Sequence, residues 1–341
     1  MHPKSMKVAY FSSFTYSYLD RARVLAQSLK HWMPGATFIA AILDEPPPGF
    51  AFDPARDCFD RVIHPHQLPI PNLRQWLFGH NVIEACTAIK GPVLRQLLAE
   101  GYDAVIYLDP DIAVFSSLEP LHELLQRDSI VLTPHQTAAE KGGPGIQDNE
   151  IGSLKWGVFN LGFVGVKNDE NGRAFASWWS DRLLHYCHDD LANGLFVDQK
   201  WCNLVPCYFD GVRILRDTGY NVASWNLSTR PVQIHQDGSI TAGGSMLRFF
   251  HFTKAGPVGD LMTQRYGGKH SDVYELWAWY KRQLGLNKVA GLPNGYWKYS
   301  RFEDGSFIAQ DLRVSYRKLS ARGSVGGDPF AANVSSVLNV K

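Results

Sequence analysis

Ala104-Val105-Ile106-Tyr107-Leu108-Asp109-Pro110-Asp111 is the stretch on which the reading of this chain turns. Its first five residues are apolar and include two β-branched side chains, which predicts a buried strand. Two aspartates close it, one residue apart. Residues two apart in extended chain share a face, so the carboxylates of Asp109 and Asp111 repel unless a cation lies between them. A divalent metal answers that need with oxygen ligands. The carboxyl ends of strands in open α/β sheets are also where ligands bind. The plain alternative is a polar strand-to-loop junction. Ile112-Ala113-Val114-Phe115 behind it argues for the metal, because unpaired charge between apolar segments is costly.

Upstream, residues 7–11 read as a first strand, followed by the polar, aromatic loop Ser12-Ser13-Phe14-Thr15-Tyr16-Ser17-Tyr18. A helix comes next, with Ala22, Leu25, Ala26 and Leu29 on one face. Pro34-Gly35 stops it, and residues 37–43 read as a second strand. This strand-helix-strand opening predicts a parallel, twisted sheet of the α/β class. No Gly-x-Gly-x-x-Gly follows the first strand, which argues against a dinucleotide site. Helical spacing returns over 82–98, interrupted at Gly91-Pro92.

Downstream, a helix is expected near 120–127 and a strand at 130–133. The Gly-rich, polar segment 135–155 has the composition of a mobile loop or lid. Phe159-Asn160-Leu161-Gly162-Phe163-Val164-Gly165-Val166 is a second buried strand. Residues 174–186 and 195–205 read as helices, 248–252 as a late strand, and 273–284 as an aromatic helix. Residues 296–316 read as a hairpin around Asp304-Gly305, and the last 20 or so as a frayed tail.

The chain has 341 residues, 45% hydrophobic and 20% charged, which is globular rather than disordered. A formal net charge of +1 gives no electrostatic reason for nucleic acid as partner. Five cysteines at no zinc-ligand spacing read as reduced thiols and imply a cytoplasmic location. No segment approaches the ~20 apolar residues of a membrane span, which leaves only peripheral membrane contact open.

Asp-x-Asp after a hydrophobic strand also belongs to haloacid-dehalogenase-type phosphatases, with Asp109 then the nucleophile. At least two strands precede the motif here, and the lysine and paired aspartates of that chemistry are not in convincing places. A non-catalytic carbohydrate-binding protein is the remaining alternative. Turnover separates the three.

Four stretches, in order, give the chain a resemblance to the GT-A nucleotide-sugar transferases, and within them to glycosyltransferase family 8 and its bacterial relatives. They are Phe11-Ser12 through Tyr18-Leu19 with the helix after it, Tyr107-Leu108-Asp109-Pro110-Asp111, Phe159-Asn160-Leu161-Gly162, and Val197-Asp198-Gln199 with Asn203. Together they span roughly residues 7–255. The resemblance implies a mixed, mainly parallel Rossmann-like sheet flanked by helices. It implies a GT-A domain over 1–258 and a C-terminal helix plus β-hairpin extension over 259–341. It further implies a nucleotide-sugar donor, UDP-linked by preference, a hexose, a saccharide or glycolipid acceptor of surface polysaccharide synthesis, and retention of configuration.

Residue by residue, it implies metal ligation by Asp109, Asp111 and His251, with Mn2+ or Mg2+ as the ion. It puts Tyr10, Ser12, Thr15, Tyr16, Leu108, Asp109, Asn160 and Gly162 at the donor, Asp198 on sugar hydroxyls, and Gln199 beside the reacting carbon. Glutamine offers no general base, so Gln199 would act by stabilising positive charge. Lys254 or Lys90 would add charge against the diphosphate; for Lys90 a solvated side chain is the preferred alternative. His251-Phe252-Thr253-Lys254-Ala255-Gly256-Pro257 departs from the family's ending, a His followed by Gly and then Lys-Pro-Trp: here the Lys comes early and the Trp is missing. Trp156, Trp201 and Trp225 are candidates for stacking on an acceptor sugar, whereas Trp178-Trp179 is assigned to packing.

Overall fold

The computed structural model describes residues 6–269, 271–320 and 327–331. The expected frayed tail falls largely outside the described residues. Strands β1 (Val8–Phe14), β2 (Thr37–Ile42), β3 (Arg61–Ile63), β4 (Ala104–Leu108), β6 (Ile130–Pro134) and β7 (Phe159–Lys167) form one sheet with the strand Val212–Ile214. Its order is Val212–Ile214, β6, β7, β4, β1, β2, β3. Every neighbouring pair is parallel except those that β7 makes with β4 and β6. The short β5 (Ile112–Val114) stands apart and pairs antiparallel with the strand Phe249–His251.

Strand parity sorts the core into two layers. Ala9, Phe11, Val105 and Tyr107 pack with the helices Lys90–Ala99 and Glu170–Tyr186. Val8, Tyr10, Phe14, Ile106 and Leu108 pack with α1 (Leu19–Trp32) and the helix Glu119–Arg127. Ala22, Leu25, Ala26 and Leu29 are all buried, as the helical spacing requires. A third cluster joins Phe250 and Phe252 to Leu276, Trp277 and Tyr280 of the helix Val273–Leu286.

The break expected at Gly91-Pro92 falls at Ile89 instead, between Val82–Ala88 and Lys90–Ala99. Pro92 then sits in a first helical turn, where its missing N–H costs nothing. Gly91 permits a close crossing: a Cβ there would stand 2.6 Å from Cα of Ser180.

Two expectations fail locally. Residues 195–205 are not one helix but a two-residue strand, a tight turn and a 3-10 segment, Lys200–Leu204. The hairpin at 296–316 shrinks to one bridge, Arg301 with Phe307, and the helix Gln310–Ser320 replaces its second strand. That helix is held by arginines: Arg313 donates to the carbonyls of Leu77, Phe78, His80 and Tyr299, and Arg317 to Glu84. The Gly-rich segment within 135–155 winds into turns ending in the helix Ile151–Trp156. Its carboxylates anchor it: Glu140 accepts from Asn149 and Ser228, and Asp148 from Tyr266.

Candidate active site

Asp109 follows the last residue of β4, where its N–H is fixed by the carbonyl of Gly162 on β7 (2.8 Å). The pairing of β5 with Phe249–His251 sets His251 opposite Ile112, one residue from Asp111. The N–H of Phe252 donates to the carbonyl of Asp111 (2.9 Å), which locks the register. One ligating atom from each of Asp109, Asp111 and His251 then lies within 4.8 Å of the others. His251 Nε2 is 3.0 Å from Asp111 Oδ1 and 3.6 Å from Asp109 Oδ2. Burial works to raise the Asp111 carboxyl, yet His251 and Arg21 hold it below its ordinary range. Burial works to lower the His251 imidazole, yet Asp111 and Asp109 hold it above.

Gly162 makes room for this histidine. A Cβ on it would stand 2.5 Å from Cε1 and 2.7 Å from Nδ1 of His251. Asn160 is satisfied by the protein. Its Oδ1 accepts from Gly162 N and Asn221 Nδ2, and its Nδ2 lies 3.2 Å from His135 Nε2.

Lys90 is buried, not solvated. Its Nζ donates to the Leu161 carbonyl (3.0 Å) and lies 2.8 Å from Asp198 and 3.2 Å from Asp109. Three N–H directions thus meet three oxygens. Burial opposes its charge, but the two carboxylates raise its pKa well above the ordinary value. Burial raises Asp198 against the pull of Lys90. Asp109 also accepts from the Tyr107 hydroxyl (2.5 Å), itself 3.1 Å from Ser13 Oγ.

Asp198 and Gln199 lie in the tight turn after Val197, whose φ of +37° is strained for a β-branched residue. Both are buried rather than on a helix surface. Gln199 Nε2 donates to the Trp156 carbonyl (3.0 Å), and its Oε1 lies 3.5 Å from Leu161 N. Gly157 at φ +125° lets the chain pass: a Cβ there would meet Gln199 Cγ at 3.1 Å.

Other expected donor contacts point elsewhere. Tyr10 projects from the opposite face of β1, its hydroxyl 2.7 Å from His122. Leu108 is buried in that same layer. Ser12 shares the parity of Tyr10; Ser13, one residue on, is the serine that reaches Tyr107. Thr15 bonds Ser17, and Tyr16 packs edge-on against Phe50 and Phe52. Lys254 is exposed, at φ +53°. Of the tryptophans, Trp225 is half-buried, edge-on to His251 at 5.4 Å, Trp156 touches Gln199 through its carbonyl, and Trp201 packs on Trp178. An apolar groove lined by Trp32, Phe115, Ile234 and Trp279 contains none of the candidate residues.

No family model matches the chain. It is 26% identical over 181 residues to Uncharacterized protein YfnF of Bacillus subtilis (strain 168), covering 50% of this chain and 56% of that protein. Against Uncharacterized protein YfnD of the same strain the identity is 24% over 192 residues, covering 55% and 59%. The chain thus spans little more than half the length of these relatives. Among solved structures it is similar to galactosyltransferase LgtC in complex with donor and acceptor sugar analogs, at 14% identity and TM-score 0.45, over 84% of this chain and 97% of that one. The glycosyltransferase GlyE of Streptococcus pneumoniae TIGR4 is similar at 15% identity and TM-score 0.47, over 83% and 63%. No described helix is long and apolar enough to cross a membrane.

Proposed function

We propose that the chain is a divalent-metal-dependent glycosyltransferase that moves a hexose from a nucleotide sugar, UDP-linked by preference, to a saccharide or glycolipid acceptor. One observation carries this reading. Two carboxylates and an imidazole from distant parts of the chain converge at the carboxyl end of β4, with the Lys90–Asp198 ion pair alongside. Two carboxylates and an imidazole suit Mn2+ or Mg2+. Bound by Asp109, Asp111 and His251, such an ion would supply Lewis-acid neutralisation of a diphosphate leaving group.

The chain's own residues supply the rest. Lys90 spends its three donors on Leu161, Asp198 and Asp109, so its part is to fix both carboxylates. Asp198 keeps an acceptor for sugar hydroxyls. Gln199, held through Trp156, presents an amide that stabilises positive charge at the anomeric carbon and takes no proton. The departing phosphate oxygen then receives the acceptor's proton, which favours retention of configuration.

Thermal shift against a panel of nucleotide sugars, with and without Mn2+, tests the reading, since a ligand of the folded state raises the melting temperature by mass action. One nucleotide sugar should stand out only when Mn2+ is present. A panel with no metal-dependent shift overturns it.

A further inference from the structure

The apolar groove away from the ligating cluster holds about 520 Å3, within the ~300–1,000 Å3 range of small-ligand sites. Residues of α1, of β5 with Phe115 after it, of the helix Val273–Leu286 and of the antiparallel pair Val232–Ile234 with Ile240–Ala242 line it. Phe115 lies 5.2 Å from Trp279 between ring centroids, with the planes 60° apart. Trp32 ends α1 and is exposed, and His31 stands edge-on to it at 5.1 Å. Aromatic rings from three separate elements thus meet in one groove.

The polar lining is unequally committed. Gln27 is bonded to Asn287, while Ser28 donates to the Leu25 carbonyl and accepts from the Val114 N–H. Glu275 and Arg282 are exposed. With Trp279 between them they occupy positions i, i+4 and i+7 of one helix, and so share a face. A carboxylate that only accepts and a guanidinium that only donates therefore flank an indole ring.

This pattern selects a ligand chemistry. An acyl chain would strip water from both charges and pair neither. A phosphate would attract Arg282 but be repelled by Glu275. An extended peptide brings a backbone donor and acceptor at every residue, whereas the lining between the two charged ends is largely apolar. A hydroxyl both donates and accepts, so it serves carboxylate and guanidinium alike. A pyranose ring carries such hydroxyls at its rim and C–H groups on its faces, and those faces pack on an indole.

We propose that this groove is a binding site for a neutral saccharide chain, with Trp279 and Trp32 as stacking faces and Glu275 and Arg282 as partners of its hydroxyls. The site goes beyond the transferase reading and does not depend on it, because no lining residue belongs to the ligating cluster. The two places nevertheless share a strand. Asp111 precedes β5 and Phe115 follows it, which puts them at most about 13 Å apart in extended chain.

Saturation-transfer NMR in excess chelator, with neutral tetrasaccharides of glucose, galactose, mannose and N-acetylglucosamine as probes, tests this. At least one should bind the wild type without metal or nucleotide. Trp32→Ala and Arg282→Ala, both at exposed positions, should each weaken that binding about tenfold while melting as wild type. Asp111→Ala should bind the same tetrasaccharide as wild type does. Absence of binding by all four probes overturns the proposal. Binding lost in Asp111→Ala but kept in Trp32→Ala and Arg282→Ala also overturns it, and places the sugar at the candidate active site. A concentration-dependent dimer in sedimentation, broken by Trp32→Ala and indifferent to the tetrasaccharides, would make the groove an interface between copies instead.

Discussion

The space beside Gly162 is filled by the imidazole of His251: a Cβ on the glycine would lie 2.5 Å from Cε1 of the histidine. The strand β7 and the late strand Phe249–His251 are thus fitted to each other at one missing side chain. Gly162→Ala must displace the ring that completes the ligating cluster. We expect Mn2+ affinity, measured by calorimetry, to fall about tenfold or more, with an overpacking cost of about 1–3 kcal/mol in denaturant unfolding. Wild-type Mn2+ affinity in this variant would show that His251 is not a ligand.

The Lys90–Asp198 pair gives a second test. Removing one partner of a buried ion pair strands the other charge, at a cost of about 3–5 kcal/mol. Lys90→Met should lose stability on that scale, since both Asp198 and Asp109 are left without their cation. Lys90→Met with Asp198→Asn should recover part of the loss, because one stranded charge is gone. Equal stability of Lys90→Met and wild type in urea unfolding would contradict the pairing.

Much of this was legible in the sequence, and the limits have physical causes. The strand 104–108, its two aspartates and the Phe159–Gly162 strand were readable from apolar runs and local spacing. So was the buried face of α1. Parity was missed: Ser13 rather than Ser12 faces Tyr107, because a period of two allows no error of one residue at the strand's start. Lys90 read as solvated because its partners come from β4, β7 and the turn at Asp198. The helix Gln310–Ser320 was read as a strand because Asp304-Gly305 is a strong turn signal, while the arginine contacts that hold the helix are long-range.

Asp44 predicts a pH dependence of stability. It is buried just beyond β2; one oxygen accepts from the N–H groups of Lys298 and Glu45, and the other has no partner among the described residues. Burial raises its pKa from 3.8 to about 7. Between those values the folded chain keeps a proton that the unfolded chain has released, so stability falls as pH rises through that window. Asp44→Asn should melt above wild type at pH 8, by at most about 4 kcal/mol, and match it near pH 4. Identical melting at both pH values would contradict the shift.

Gln199→Ala separates rate from binding. The side chain lies with Asp198 and Trp156 and is no part of the ligating cluster, so the variant should lose most of the turnover while keeping nucleoside diphosphate affinity. Product from the wild type should keep the donor's anomeric configuration, read from proton NMR coupling at the new linkage. An inverted product would require a general base and would move attention to Asp198 or Asp148.

Nucleotide release from the nucleotide sugar that gives the largest thermal shift, followed with Mn2+, with excess chelator, and in Asp111→Ala, addresses the central claim most directly. Nucleoside diphosphate is the expected product with Mn2+ and acceptor, and none is expected with chelator or in the variant. Inorganic phosphate as the product, or undiminished turnover in excess chelator, would contradict it.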